Sequence, residues 1–230
     1  MKCKKCANKC IKKGFQQNRF YRKQRYQCKE CKTYQLEEYS YRIYSSKSDQ
    51  KLIQLNAEGN SISGMARILE YSKQTIIRRI QYLAERVKPP IVSEYHQTYE
   101  VDELWTYVGN KETGEAWITY AINRKTNKVI SFNVGGKTTR DMAKVILPVK
   151  QLYPKRIVTD KLNIYPNLVK PIEHDTRKHR NNHIERANLT LRQHLRRLSR
   201  KTLAYSKSLK MLEASLKLYL FWNSWVIGGK

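Results

Sequence analysis

The chain has 230 residues, with 46 lysines and arginines against 19 acids and a formal net charge of +27. A surplus of that size exceeds what solubility requires and predicts a polyanionic partner, either nucleic acid or an anionic membrane face. No stretch approaches the roughly 18–20 continuous apolar residues of a membrane-spanning helix, and the basic start MKCKKCANKC lacks the apolar region of a secretory signal. Nucleic acid and a cytoplasmic location are therefore expected.

Residues 1–42 read as a zinc-ribbon-like module. Cys3-x2-Cys6 and Cys28-x2-Cys31 are separated by 21 residues. Two such knuckles suit four thiolates around one structural Zn²⁺, with a hairpin between them. Without an export signal, metal ligation is favoured over disulfides. Cys10 is left over as a bystander. The intervening KKGFQQNRFYRKQRYQC interleaves basic residues with Phe15, Phe20, Tyr21 and Tyr26. That mixture suits phosphate and base contacts, although some of the rings must form the small module's core.

Residues 45–88 change to helical spacing. Leu52, Ile53 and Leu55 precede a break at Gly59-Asn60; Ile62, Met65, Ala66 and Leu69 follow, and then Ile76, Ile77, Ile80 and Leu83. Ser72 is expected to cap the last helix. SISGMARILEYSKQTIIRRI is similar to the helix-turn-helix pattern, except that Glu70 stands where the turn usually has glycine. Lys73, Gln74, Arg78 and Arg79 are candidate DNA contacts. VKPP, residues 87–90, ends the third helix and stiffens the joint.

Residues 95–230 read as a third, α/β part. TYEVDELWTYVG, EAWITYAINRKT and KVISFNVGG are strand-like, with a turn signal at RKTNK. TTRDMAKVILPVKQL is helical, KRIVTD is a short strand ending in Asp160, and a long helix is expected to begin near Asn182. The result is a mixed sheet flanked by helices. The C-terminal SLKMLEASLKLYLFWNSWVI is an apolar core helix, and its Trp222 and Trp225 are candidates for oligomer contacts.

Three acids stand out. Asp102 lies inside the first strand of this part, where a carboxylate is disfavoured. Strand alternation puts its neighbour Glu103 on the opposite face, so only one of the two is expected to face a site. Asp160 ends a strand, and Glu185 opens the long helix, where Asn182-x-x-Glu185 also fits a capping box. Glu185 is the only acid among eleven basic residues between Thr176 and Lys210. Ile184, Leu191, Leu195 and Leu198 form an apolar stripe on the helix, and Glu185, Arg192, Arg196 and Arg200 a polar one suited to the DNA backbone. Asp141 and Asp175 read as helix-start and loop acids. His174, His179 and His183 are too irregularly spaced for a metal site and read as solvated or phosphate-facing, with His183 a candidate to assist near the acids.

VDELWTYVG, VTD followed by IYP, and above all IERANLTLRQHLRRLSRKT resemble the DDE transposases of the insertion-sequence-one family, mobile elements of bacteria and archaea. The 24 residues between Asp160 and Glu185 fit that family's short second spacing. The resemblance implies an RNase H-like catalytic domain holding two Mg²⁺ (or Mn²⁺) on Asp102, Asp160 and Glu185. It further implies cleavage and strand transfer at terminal inverted repeats in double-stranded DNA, at least a dimer in the active complex, and nucleoid association in a prokaryotic cytoplasm. Relatives often make the DNA-binding and catalytic parts in two reading frames, whereas this one chain carries both. Two alternatives stay open from the residues alone. One is a zinc-ribbon and helix-turn-helix regulator without catalysis; the other is a tyrosine recombinase using the His183-x-x-Arg186 element and Tyr205.

Overall fold

The computed structural model describes residues 1–17, 22–37, 45–91, 94–177, 181–199 and 202–227, with side chains as far as Trp222. Phe20, Tyr21, His179, Arg200 and the side chain of Trp225 lie outside the described residues. The chain forms two compact units, Met1–Ser48 and Asp49–Lys230.

In the first unit, β1 (Cys10–Gln17), β2 (Arg22–Cys28) and β3 (Tyr34–Leu36) form an antiparallel sheet in that order. The first pair is the hairpin expected between the knuckles, with Cys10 opposite Cys28. Buried Cys3, Cys10 and Cys28, with Tyr26 and Cys31 packed against them, make up the core. So little apolar volume cannot hold roughly forty residues together, and a metal cross-link would supply what burial does not. Phe15 is instead exposed, with the Arg22 guanidinium stacked on its ring.

The second unit, from Asp49, takes in all but the first turn of α1 (Ser46–Ala57), then α2 (Ile62–Ile68) and α3 (Lys73–Arg86). Leu52, Ile53, Met65, Ala66, Ile76, Ile80 and Leu83 are buried, as the spacing predicts. Ser72 accepts the Thr75 N–H at 3.1 Å and caps α3. Glu70, in the turn, has φ +59°. The left-handed conformation that favours glycine is thus required there, and a glutamate bears it. The α1–α2 turn is tighter still. Gly59 has φ +68°, and a Cβ on it would overlap the carbonyl oxygen of His194.

The remaining sheet is mixed, with β4 (Thr98–Tyr107) at its centre. Strands β5 (Glu115–Asn123) and β6 (Val129–Gly135) extend it antiparallel on one side. On the other side β7 (Arg156–Val158) and β8 (His174–Asp175) run parallel to it, giving the order β6-β5-β4-β7-β8. Helix α4 (Thr139–Lys150) crosses between β6 and β7 and buries Met142, Val145, Ile146 and Val149 against Tyr99, Val101 and Ile157 on one face. Helices α5 (Asn182–His194) and α6 (Leu209–Ile227) cover the other face around Leu104, Ile118, Tyr120 and Ile122. Helix α6 also packs along α3, and buried Asn56 of α1 donates to its Ser215 carbonyl at 3.0 Å. A mixed five-stranded sheet between helices fits the RNase H-like layout. Among the described residues no helix is long and apolar enough to cross a membrane.

Three expectations need correction. His174–Asp175 is a strand rather than loop, pairing with only two residues of β7. The capping box at Asn182 does not form: Asn181 precedes the helix and makes no side-chain cap bond. The long helix stops at His194, Leu195 turns extended, and Arg196–Leu198 is a 3-10 turn, so the polar stripe does not continue along one helix. Arg192 closes the break by donating to the carbonyls of Leu198 (2.7 Å) and Trp105 (3.2 Å).

The two turns predict opposite outcomes. Glu70→Gly relieves left-handed strain and raises stability by about 1 kcal/mol, a few degrees in Tm for a chain of this size. Gly59→Ala combines that strain with backbone overlap and lowers stability by about 2 kcal/mol or more. Thermal melts of the two variants beside the parent check both signs.

Candidate active site

Strand β7 pairs with β4 only from Thr98 to Glu100. Beyond that point no described strand pairs with this side of β4 as far as Tyr107, and Asp102 and Glu103 lie two and three residues on. The chain leaving β7 continues through Thr159 to Asp160 beside that edge. Carboxylate oxygens of Asp102, Glu103 and Asp160 come within 4.8 Å of one another. Alternation sends the first two to opposite faces, yet at an unpaired edge both reach the same point. The expectation that only one could face the site was therefore too strict.

Each carboxylate is held by neighbours. Asp102 accepts the Glu103 N–H at 2.8 Å and the Asn188 side-chain amide at 2.7 Å. Glu103 accepts the hydroxyl of fully buried Tyr165, the tyrosine of IYP, and lies 3.5 Å from Lys137 Nζ. Asp160 accepts the Leu162 N–H at 3.0 Å. Burial is the main force pushing the Asp102 carboxyl above its usual range; the charges of Asp160 and Glu185 push the same way, against its two hydrogen bonds. Glu103 is pushed up chiefly by burial as well, and Tyr165 only partly offsets this. Glu185 stands outside the trio, exposed in the first turn of α5, yet near enough for its charge to act on Asp102. Carboxylates crowded so closely suit a hard divalent cation, which would relieve their repulsion with oxygen ligands.

Sequence reasoning missed Glu100, Asn188 and Tyr120. Glu100 is fully buried, and it contacts the Ile184 N–H, His183 Nδ1 and Arg124 Nε. It lies two residues before Asp102 on the same face, a placement that alternation makes readable once the strand is known. His183 is thus paired rather than solvated. His174 also has a partner, Thr159 Oγ1 at 2.8 Å, and burial keeps its ring below the usual imidazole pKa. Asp175 is buried against Arg177 at 2.6 Å, and Asp141 caps α4 together with Thr138 as expected. Tyr205 stacks on Tyr107, with ring centroids 5.3 Å apart.

The candidate DNA contacts divide. Lys73, Gln74, Arg78 and Arg196 are exposed. Arg79 is a correction: it is buried, bonded through Nε and Nη2 to Asp49 at 2.7 and 2.6 Å, and so ties α3 to α1. Arg192 lies half-buried, bound to the two carbonyls at the helix break.

In the first unit Cys3, Cys6, Cys28 and Cys31 gather their sulfurs within 4.8 Å, with three pairs at 3.4–3.5 Å. A tetrahedron with Zn–S bonds of about 2.3 Å has sulfurs about 3.8 Å apart, and a disulfide would need about 2 Å. The four thiols therefore fit zinc. The Thr33 hydroxyl and amide hold the Cys31 thiol down to about 6, which favours a ligating thiolate. Cys10 is buried against Cys3 and Cys28 but is not one of the four gathered sulfurs, and it lies near the Gln35 amide.

The sequence model of the family described as IS1 transposase matches residues 97–225, the whole sheet with α4 to α6. The chain belongs to the IS1 transposase family. It is 32% identical over 142 residues to the insertion element IS1 4 protein InsB of Escherichia coli K12, covering 62% of this chain and 83% of that protein. It is 34% identical over 121 residues to the IS1 protein InsB of Shigella flexneri and 31% to the iso-IS1n InsB of Shigella dysenteriae, each covering 53% of this chain and 92% of the relative. The acids of this IS1-family chain lie in the matched segment and the cysteines outside it.

Metal analysis of the purified protein is expected to find about one zinc, retained in Cys10→Ser and lost in Cys31→Ser. In the second unit, millimolar Mg²⁺ is expected to raise Tm at neutral pH. The gain fades as pH falls and Asp102 and Glu103, whose carboxyls burial pushes up, take on protons, and it is smaller at every pH in Asp102→Asn.

Proposed function

We propose that this chain is a DNA transposase that cleaves at the terminal inverted repeats of an insertion sequence and joins the freed ends to target DNA, using Asp102, Asp160 and Glu185. The observation that carries the reading is the convergence of Asp102 and Glu103 from β4 with Asp160 from the end of β7, and with Glu185 at the start of α5 near enough for its charge to act on Asp102, within the segment that matches a transposase family.

Asp102, Asp160 and Glu185 would hold two Mg²⁺ or Mn²⁺ ions. Such a pair supplies Lewis-acid polarisation of the phosphodiester and lowers the pKa of a bound water. The protein's own groups provide orientation. Asn188 and the Glu103 N–H fix both oxygens of Asp102, while Tyr165 and Lys137 hold Glu103 beside it. In the first reaction water adds to phosphorus at the element end and the P–O3′ bond breaks, leaving a 3′-hydroxyl. In the second that hydroxyl adds to a target phosphodiester and displaces the target's own 3′-oxygen. No covalent protein–DNA intermediate is required.

Exposed Lys73, Gln74 and Arg78 at the start of α3 would meet the groove and phosphates of a terminal repeat. The zinc-ribbon-like module and its arginine–aromatic stacks would add backbone contacts, and Arg196 would hold the strand being cut. The net charge of +27 predicts steeply salt-dependent binding. Cutting two ends and joining them together calls for at least two copies of the chain.

The test is strand transfer on end-sequence DNA with Mg²⁺. Glu185→Gln should bind DNA as the parent does and lose cleavage and joining by at least about 10³-fold, as expected for removal of a catalytic metal ligand. Retained cleavage would remove Glu185 from the site. A 3′-phosphotyrosyl adduct would point to Tyr205 and a recombinase, and binding without cleavage in the parent to a regulator.

A further inference from the structure

Glu100 is the one fully buried carboxylate among the described residues, and none of the chemistry above uses it. Taking an ionised carboxylate out of water costs several kcal/mol unless donors replace the water. Here three do. Oε2 accepts the Ile184 N–H at 3.0 Å, while Oε1 lies 2.9 Å from His183 Nδ1 and 3.3 Å from Arg124 Nε. The first of these is a capping bond, made to one of the unsatisfied N–H groups of the first turn of α5. Asn181 makes no such bond, so the cap of this helix comes from a strand far away in sequence.

A second grip lies one turn along the helix. Asn188 donates to Asp102 at 2.7 Å and accepts the Tyr120 hydroxyl at 2.8 Å, and that hydroxyl also lies 3.3 Å from the Ile184 carbonyl. Two carboxylates on one face of β4, Glu100 and Asp102, therefore hold α5 at residues 184 and 188. Contacts at i and i+4 lie on one side of a helix, so together they set both its rotation and its height on the sheet. Glu185 stands between them.

We propose that Glu100 is a positioning residue: by capping α5 it sets where the Glu185 carboxylate stands relative to Asp102 and Asp160, and with it the cation affinity of the site. The inference rests on the reading of Glu185 given above. A carboxylate is needed rather than any acceptor, because three donors converge on it. Glutamine would offer one oxygen and turn an N–H₂ toward donors. Displacements of about 1 Å in a ligand's position are enough to weaken such a site strongly.

The test is Mn²⁺ binding to the full-length protein on end-sequence DNA, followed by the electron paramagnetic resonance of the free ion, with Tm and DNA affinity measured in parallel. Glu100→Gln should weaken Mn²⁺ binding roughly tenfold and leave DNA affinity unchanged. Excess Mn²⁺ should restore most of the cleavage rate. His183→Ala removes a partly exposed partner of Glu100 and spares the cap; it guards against a Glu100→Gln that fails to fold and should weaken binding about threefold. A drop in Tm with parental Mn²⁺ affinity in both variants would reduce Glu100 to a structural cap and overturn the proposal. Glu185→Gln, run alongside, separates the two claims. If it keeps parental Mn²⁺ affinity and cleavage, the reading of Glu185 fails and the inference falls with it. If it loses both while the Glu100 and His183 variants behave as the parent, only the positioning role fails.

Discussion

The architecture of the second unit depends on β4 running on after its parallel neighbour has stopped. A three-residue β7 leaves the outer edge of β4 unpaired beyond Glu100. Open backbone edges are a liability in most sheets, and proteins cover them or fill them with charge. Here the edge is where carboxylates gather. Asp102 and Glu103 emerge at it, Asp160 arrives from the end of β7, and α5 is fastened to the same strand from the far face. A β7 longer by two or three residues would pair where the acids now meet. The short strand is thus part of the site.

Charge gives the arrangement its meaning. A chain with 46 basic residues could neutralise a few acids many times over, yet Asp102, Asp160 and Glu185 have no basic partner in the ion pairs of the described residues. Acids that serve packing are paired instead: Asp49 with Arg79, Asp175 with Arg177, and Glu100 with Arg124. Glu103 stands between the groups, bound to Lys137 and Tyr165 while its other contacts are acids. Acids without a basic partner, gathered at one point, are what a cation site requires.

Much of this was legible in the sequence. Period-two and period-3.6 patterns located β4 to β6 and α1 to α4, and the two CxxC knuckles brought their sulfurs together. Asp102 and Asp160 converge, with Glu185 close by. What escaped is specific. Strand β8 has two residues, too few for any alternation. The end of α5 at His194 leaves no mark, because Leu195 and Leu198 stay buried whether or not the helix continues, and the arginine that closes the break reads as a DNA contact. Arg79 misled for the same reason: a basic residue on α3 looks alike in sequence whether it faces phosphate or a buried aspartate. Glu100 and Asn188 act through tertiary contacts, the bonds to Ile184 and to Asp102 each spanning more than eighty residues, which one sequence cannot reveal.

The central claim is that three acids from three separate elements hold the same cations. Replacing Mg²⁺ by Fe²⁺ in the DNA-bound protein and adding ascorbate and peroxide generates hydroxyl radicals at the metal, which cut the nearest backbone. Predicted cuts in the second unit fall next to Asp102, next to Asp160 and at the start of α5 beside Glu185, all suppressed together by Asp102→Asn. Cuts beside Asp102 and Asp160 with none near Glu185 would contradict the account.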